Sequence, residues 1–220
     1  MTDRKHRLEP RKQPIQRRSR ATVDELLLAA AQVFEALGYA AATTNRIAQR
    51  AGSSIGTLYQ YFPSKEAIAV ALLERHLAET DQWLQQWAAG VQPGQQNLRR
   101  ALQDYVSGML DIHSARPRLQ HILLEEIPLP ERVHLTLIEA ERRAATTMGA
   151  VLAAYPGIHR SRLERAGFLL VQTVESLSHR FAAHPDGQLV SREGFLEDLV
   201  TMLEAYLTCP ASRLAPTAPS

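Results

Sequence analysis

The sequence is poor in the residues that cross-link secreted proteins and anchor membrane proteins. It contains one cysteine, Cys209, among 220 residues, which excludes an internal disulfide and any zinc site built from several cysteines. The longest apolar runs, 26–31 and 67–73, are far shorter than the roughly 18 residues that span a bilayer. The charged start lacks the apolar segment of a secretory signal. We therefore expect a reduced, cytoplasmic protein that does not enter a membrane.

The sequence also has little net charge, but its charges are unevenly distributed. With 25 Lys and Arg against 23 Asp and Glu, the formal charge is +2. Residues 1–20 hold eight basic and two acidic residues, a charge of +6, so residues 21–220 carry 17 basic and 21 acidic residues, a charge of −4. This first segment has too few apolar residues to bury a core, and we predict a disordered basic arm over 1–20. Residues 209–220 hold three prolines and predict a disordered tail.

Apolar residues recur at helical intervals almost throughout the rest of the chain, and no stretch alternates as a strand does. With 45% apolar residues the chain can form one or two packed domains. Helix-capping residues and the helix-breaking residues glycine and proline then give the bounds of the predicted helices. Thr22 opens the first helix through a capping box with Glu25, and Gly38 ends it. We predict an all-α protein of about nine helices. The expected helices are 22–37, 43–50, 53–61, 63–89, 95–114, 117–126, 131–154, 161–183 and 192–207.

The stretch 44–66, TNRIAQRAGSSIGTLYQYFPSKE, predicts two short helices joined by a tight turn. Ile47 and Ala48 face inward on the first helix, and Leu58 and Phe62 anchor the second. The opposite face of the second helix is small or hydrogen-bonding: Ser53, Ser54, Gly56, Thr57, Tyr59, Gln60 and Tyr61. A solvated surface helix is normally rich in Lys and Glu, whereas this one has no charge between residues 53 and 62. Such a face suits entry into the major groove of DNA, and Lys65 can then reach the DNA backbone.

Residues 21–66 resemble the N-terminal domain of the tetracycline-repressor-like (TetR-like) transcription regulators. The resemblance rests on the following residues: Ala29-Ala30, Phe34, Gly38-Tyr39, Thr43-Thr44, Ile47-Ala48, Ala51-Gly52, Gly56, Leu58-Tyr59, Tyr61-Phe62 and Lys65-Glu66. Residue 53 departs from the family pattern, which often has Val where this chain has Ser. The resemblance implies a helix-turn-helix DNA-binding domain over 21–66 and a helical ligand-binding and dimerisation domain over 67–208.

The same resemblance implies a dimeric repressor, active at the bacterial nucleoid, that a small molecule releases from a palindromic operator in double-stranded DNA. By position it assigns base reading to Ile55, Thr57 and Gln60. It assigns phosphate contacts to Thr44, Tyr59, Tyr61 and Lys65. The arm over 1–20 either reaches along the DNA or attracts it without specificity.

The C-terminal part offers two further sets of residues. An effector pocket between helices would be lined by aromatic, sulfur-containing and polar side chains: Trp83, Trp87, Tyr105, Met109, His113, His121, Glu125, His134 and Phe168. In the resembled family the last two helices pair with their copies across a two-fold axis. The residues that this pairing would use here are Leu163, Gly167, Leu170, Val174, Leu177, Phe181, Leu199, Met202, Leu203 and Tyr206. For each set the alternative is plain core, which the sequence favours for the large apolar residues of the pocket set and disfavours for the last two helices.

Two other function classes compete with this interpretation. Gly52–Gly56 matches the G-x-S-x-G elbow of hydrolases, but that motif follows a strand, and a helix is expected here. Glu131 and His134 form one E-x-x-H motif, whereas a bundle di-iron site needs two, together with two more carboxylates. The alternative is therefore an all-α enzyme or metal-binding protein with an incidental helical hairpin. We predict no catalytic residue, metal or cofactor.

Overall fold

The structure is a computed structural model that describes residues 17–127, 130–158, 162–183 and 189–210. Within these ranges it contains nine α-helices, one π-helical turn and no strand, as the sequence predicted. The helices are α1 Arg17–Ala41, α2 Thr44–Arg50, α3 Ile55–Tyr61, α4 Lys65–Gly90, α5 Leu98–Ala115, α6 Pro117–His121, α7 Glu131–Leu152, α8 Leu163–Ala183 and α9 Arg192–Thr208. The π turn is Ile122–Glu126. None of these helices is apolar over a length that could cross a membrane.

The predicted helix start at Thr22 is wrong. Helix α1 begins at Arg17, so residues 17–20 of the expected arm form its first turn. The Ser19 hydroxyl lies 2.9 Å from the Tyr61 hydroxyl, and this hydrogen bond holds that turn against the end of α3. The rest of the arm, residue 161 of the eighth predicted helix and the tail after residue 210 lie outside the described residues.

The chain divides into two compact units, of which unit 1 comprises residues 1–79 and 116–134. Its core brings the first three helices together with the first part of α4 and the segment 116–134. The fully buried residues include Phe34, Ile47, Leu58, Ile68 and Ile122. The predicted boundary at residue 66 therefore differs from the division found in the structure. The reason is that Leu119, Ile122, Leu123 and Ile127 complete the core of the N-terminal helices.

Unit 2 comprises residues 80–115 and 135–220. Its core is formed by α5, α8 and α9 with the second parts of α4 and α7. The best-buried residues include Tyr105, Leu110, Met148, Val174 and Val200. Arg99 on α5 forms ion pairs with Glu197 and Glu204 on α9, the second with its atoms 2.6 Å apart. Helix α9 is therefore fixed to α5 by charge as well as by apolar contact.

Candidate nucleic-acid interface

Helices α2 and α3 form the predicted helix-turn-helix. The Thr43 hydroxyl accepts a hydrogen bond from the backbone N–H of Arg46, which makes Thr43 the N-cap of α2. The turn needs glycine at residue 52, because the backbone there has φ 62°, a left-handed conformation that side chains with a Cβ disfavour. Ser54 then caps α3, and its hydroxyl accepts from the N–H of Thr57 at 3.0 Å.

Helix α3 has one buried face and one exposed face. Leu58 and Phe62 are buried, as the sequence predicted, and they fix the helix against the core of unit 1. Ile55, Gly56, Tyr59 and Gln60 are exposed, and Ser53 and Thr57 are half-exposed. Over residues 51–64 there is no charged residue. The exposed face therefore offers hydroxyls, an amide and the apolar side chain of Ile55, which are groups that read base edges and phosphates.

The prediction that Tyr61 lies on the exposed face of α3 is wrong. Its ring is buried, and its hydroxyl bonds to Ser19 of α1. Residue 61 follows Leu58 by three positions, so it lies on the same side of the helix as that core anchor. Tyr61 thus connects α3 to the start of α1.

Lys65 lies at the start of α4 and is half-buried. Its ammonium donates to the carbonyl oxygen of Tyr39 at 2.7 Å and lies 4.1 Å from the centroid of the Tyr39 ring. In this position the charge satisfies a carbonyl near the end of α1. Lys65 is therefore a link within unit 1, and the phosphate that the sequence assigned to it would have to compete with the Tyr39 carbonyl for the ammonium.

Helix α2 is also part of this surface. The Thr44 hydroxyl lies 3.0 Å from the Tyr59 hydroxyl, so the first turn of α2 adjoins the exposed face of α3. Arg46 donates to the carbonyl of Ala41 at 2.9 Å, and Arg50 donates to the amide oxygen of Gln32 at 2.7 Å. The sequence interpretation named Thr44 but none of the other exposed residues of α2.

The G-x-S-x-G stretch has a helix before it. Residues 51–54 join α2 to α3, and Gly56 already lies within α3. The Ser54 hydroxyl lies 2.8 Å from the Thr57 hydroxyl, and the part of the chain that the structure describes contains no strand. Ser54 is thus a helix cap, and this geometry lacks the strand-to-helix turn of the hydrolase elbow.

Six of the predicted pocket residues lie in unit 2, and five of them are buried or half-buried there: Trp83, Trp87, Tyr105, Met109 and His113. The Tyr105 ring is 5.9 Å from that of Trp83 and 5.0 Å from that of Trp87, centroid to centroid. Burial, followed by the negative charge of Glu175, raises the pKa of Tyr105. These aromatic residues therefore form one cluster between α4 and α5.

The remaining predicted pocket residues do not join that cluster. His121, Glu125 and His134 belong to unit 1, and Phe168 is 47% exposed on α8. The sequence interpretation did not assign Glu175 and His179 of α8 to the pocket, although both adjoin His113. The Glu175 carboxylate lies 3.3 Å from His113 Nε2, and the rings of His113 and His179 are 5.6 Å apart. The spacing of Glu175 and His179, four residues apart on one helix, was the available signal.

The residues predicted for the dimer interface fall into three groups in the structure. Leu170, Val174, Leu199 and Leu203 are buried in the core of unit 2, so their assignment to an interface is wrong. Gly167 is also buried: a Cβ added to it would lie 2.4 Å from the carbonyl oxygen of Ala145 on α7. Half-buried are Leu163, Phe181 and Tyr206. The exposed residues are Leu177 and Met202.

Comparison with known proteins places both parts of the chain. Residues 26–72 match the family described as bacterial regulatory proteins, tetR family. Residues 97–207 match the family described as tetracyclin repressor-like, C-terminal domain. The second match alone covers half of the chain.

Individual proteins agree with these matches. The chain is 38% identical over 81 residues to the HTH-type transcriptional activator FasR of Mycolicibacterium smegmatis. That stretch is 37% of this chain and 37% of the activator. The fold is similar to a TetR-family transcriptional regulator from Mesorhizobium loti, with 15% identity, a TM-score of 0.71 and coverage of 87% of this chain and 98% of that one. It is also similar to GusR of Salmonella enterica, with 22% identity, a TM-score of 0.66 and coverage of 89% and 99%.

Proposed function

The chain belongs to the tetR family of bacterial regulatory proteins, which are DNA-binding regulators and not enzymes, and on that premise we propose that it is a dimeric repressor released from a palindromic operator by a small molecule. The observation that carries the proposal is the exposed, uncharged polar face of α3 on a helix-turn-helix. The proposed place of action is the nucleoid of the bacterial cytoplasm.

In the proposed complex α3 lies in the major groove. Ile55 and Gln60 face the bases, because an apolar side chain fits the thymine methyl and an amide pairs with adenine. Thr44 and Tyr59, whose hydroxyls bond to each other, contact phosphates. A two-fold dimer presents two such helices to half-sites separated by one helical turn or a multiple of it.

The test is binding of the full-length protein to DNA flanking its own gene, followed by fluorescence anisotropy at physiological salt. Gln60→Ala and Tyr59→Ala weaken specific binding, whereas Arg142→Gln, an exposed change in unit 2, leaves it unchanged. Wild-type affinity no better than that of both α3 variants would refute the proposed recognition surface.

The proposed direction of regulation is repression, because a dimer that covers two half-sites excludes other proteins from the same DNA. The relative FasR is an activator by name, so the assay must detect both a decrease and an increase in expression. A reporter gene behind the bound DNA gives lower expression with the protein present if repression holds. Higher expression would replace repression by activation and leave the DNA-binding proposal intact.

The proposed dimer pairs the outer faces of α8 and α9 with their copies. Four exposed apolar residues support this: Phe168, Leu169, Leu177 and Met202. Burying apolar side chains of this size between two copies stabilises the dimer. A two-fold axis brings the same patch of both copies together.

The proposed effector binds beside the aromatic cluster in unit 2. The buried indole N–H of Trp87 has no hydrogen-bond partner among the described residues, and such a donor favours a polar ligand atom. The ligand shifts the population of states by binding one of them more tightly. Because Trp83 and Trp87 are the only tryptophans in the sequence, an effector that releases DNA also changes tryptophan fluorescence. Release without a fluorescence change would place the effector elsewhere.

The proposed arm, residues 1–16, contacts the DNA backbone. It carries five basic and two acidic residues. The first turn of α1, which follows it in sequence, is held beside the end of α3 by the bond between Ser19 and Tyr61. Deleting 1–16 weakens binding, and the slope of log K against log salt falls by about 0.9 for each phosphate that the arm neutralises. An unchanged slope removes the arm from the mechanism.

A further inference from the structure

The first turn of α2 carries an exposed amide that the proposed recognition surface does not yet use. Asn45 follows Thr44, and the bond from Thr44 to Tyr59 brings this turn next to the exposed face of α3. The side chain of Asn45 is exposed and forms no hydrogen bond with any described residue.

The neighbours of Asn45 are occupied in other ways. The guanidinium of Arg46 turns back to the carbonyl of Ala41, and the Thr44 hydroxyl is paired with Tyr59. On α3 the hydroxyls of Ser54 and Thr57 are bonded to each other. The amide donor and the amide acceptor of Asn45 are therefore both available to a ligand of this surface. The same holds for the amide of Gln60, which follows Tyr59 on α3.

An asparagine or glutamine amide presents a donor and an acceptor side by side. This pair matches N7 and N6 of adenine in the major groove, where each base pair has its own pattern. Hydroxyls pair with several bases and discriminate less. An available amide on each of two adjoining helices thus supplies the donor and acceptor groups that two separate adenine contacts require.

We propose that Asn45 is a base-reading residue that contacts an adenine in each half-site, at a position different from the one read by Gln60. This inference rests on the proposed function, since it requires that α3 lies in the major groove. It adds the first turn of α2 to the residues that determine specificity, and it predicts two A·T pairs per half-site that depend on different amides.

The experiment begins with selection of binding sites from random double-stranded DNA by the full-length wild type. Each position of the selected site is then changed in turn, and the affinities of wild type and variants are compared. For one A·T pair per half-site, the wild type loses about 5- to 150-fold in affinity when that pair is replaced. Asn45→Ala no longer discriminates at that pair and keeps the wild-type profile at the others.

Asn45→Asp provides a readout that a structural role would not give. A carboxylate accepts from the amino group of cytosine, so this variant prefers C·G at the same pair while binding more weakly overall. Gln86→Ala, which removes an exposed amide of α4 in unit 2, is the matched control and retains the wild-type profile. Equal thermal midpoints of wild type and Asn45→Ala show that the fold is intact.

The outcomes separate the two proposals. If the wild type selects no sequence, the proposed function fails. If it selects a site and the Asn45→Ala profile is the same as the wild-type profile at every position, the proposed function stands and the role of Asn45 is overturned.

Discussion

Tyr39 connects several segments of unit 1 through separate atoms. Its hydroxyl donates to Glu66 Oε1 at 3.2 Å, its carbonyl accepts from Lys65, and its N–H donates to Glu126 of the π turn at 3.4 Å. Burial raises the pKa of the Tyr39 hydroxyl, and the charge and hydrogen bond of Glu66 raise it further. The hydroxyl therefore stays protonated and continues to donate.

Glu66 gives unit 1 a pH-dependent stability. Burial acts to raise the pKa of this carboxyl, but hydrogen bonds from its own N–H, from Ser64 and from Tyr39, together with the charge of Lys65, lower it below the usual 4.5. A lowered folded-state pKa means that the ionised group stabilises the fold at neutral pH. This contribution is lost as the pH falls below 4.5 and through the folded value.

We expect Glu66→Gln to be less stable than the wild type at neutral pH, with a difference that shrinks under acid. Urea unfolding followed by circular dichroism from about pH 7 to about pH 3 measures it. Glu139→Gln, an exposed change on α7, is the control. A difference that stays constant over this range contradicts the assigned role of Glu66.

At the scale of elements, the π turn belongs to the core of the N-terminal helices. Ile122 and Leu123 are buried there with Phe34 and Leu73. A π turn takes one more residue per hydrogen-bonded ring than an α-helix, and such turns often occur at functional sites. The segment 116–134 is thus the part of the C-terminal sequence that packs on the DNA-binding helices.

Replacing Leu123 by Ala tests this assignment. Loss of a buried leucine costs about 2–5 kcal/mol, so hydrogen exchange of the α1 amides accelerates. Leu135→Ala is the control, because Leu135 is 61% exposed and surface changes stay within about 0.5 kcal/mol. Unchanged exchange in α1 would show that the segment does not support these helices.

At the scale of the whole molecule, substitution of the exposed apolar residues of α8 and α9 tests the proposed dimer. The proposed dimer has twice the 24.5 kDa of one chain. Met202→Arg places a charge in the proposed interface, which is costly to bury without a partner. Sedimentation velocity at micromolar concentration then gives the mass of one chain for this variant. Ile138→Arg, an exposed change on α7, stays dimeric.

A wild-type mass of one chain at that concentration would refute the dimer. If both variants are dimeric, the interface lies on another face. The weakened dimer would also bind the palindromic site less tightly, since its two recognition helices are no longer held together.

The sequence by itself determined the helices and the recognition hairpin. Residues 43–62 combine local caps, a glycine turn and two apolar anchors, and each of these acts within a few residues of chain. For this reason the turn and the burial of Leu58 and Phe62 agree with the prediction, and of the possible caps Thr43 or Thr44 and Ser53 or Ser54 the structure uses Thr43 and Ser54. The family resemblance was visible in the same local pattern.

Only the tertiary structure decided which apolar or polar residues meet across long stretches of chain. Tyr61 was predicted to be exposed, but it pairs with Ser19, 42 residues earlier. Leu170 and Val174 have the same helical spacing whether they face a partner copy or the core of unit 2, and contacts with other helices place them in the core. Periodicity shows that a face is apolar, whereas the neighbour that covers it is set by packing between segments distant in sequence.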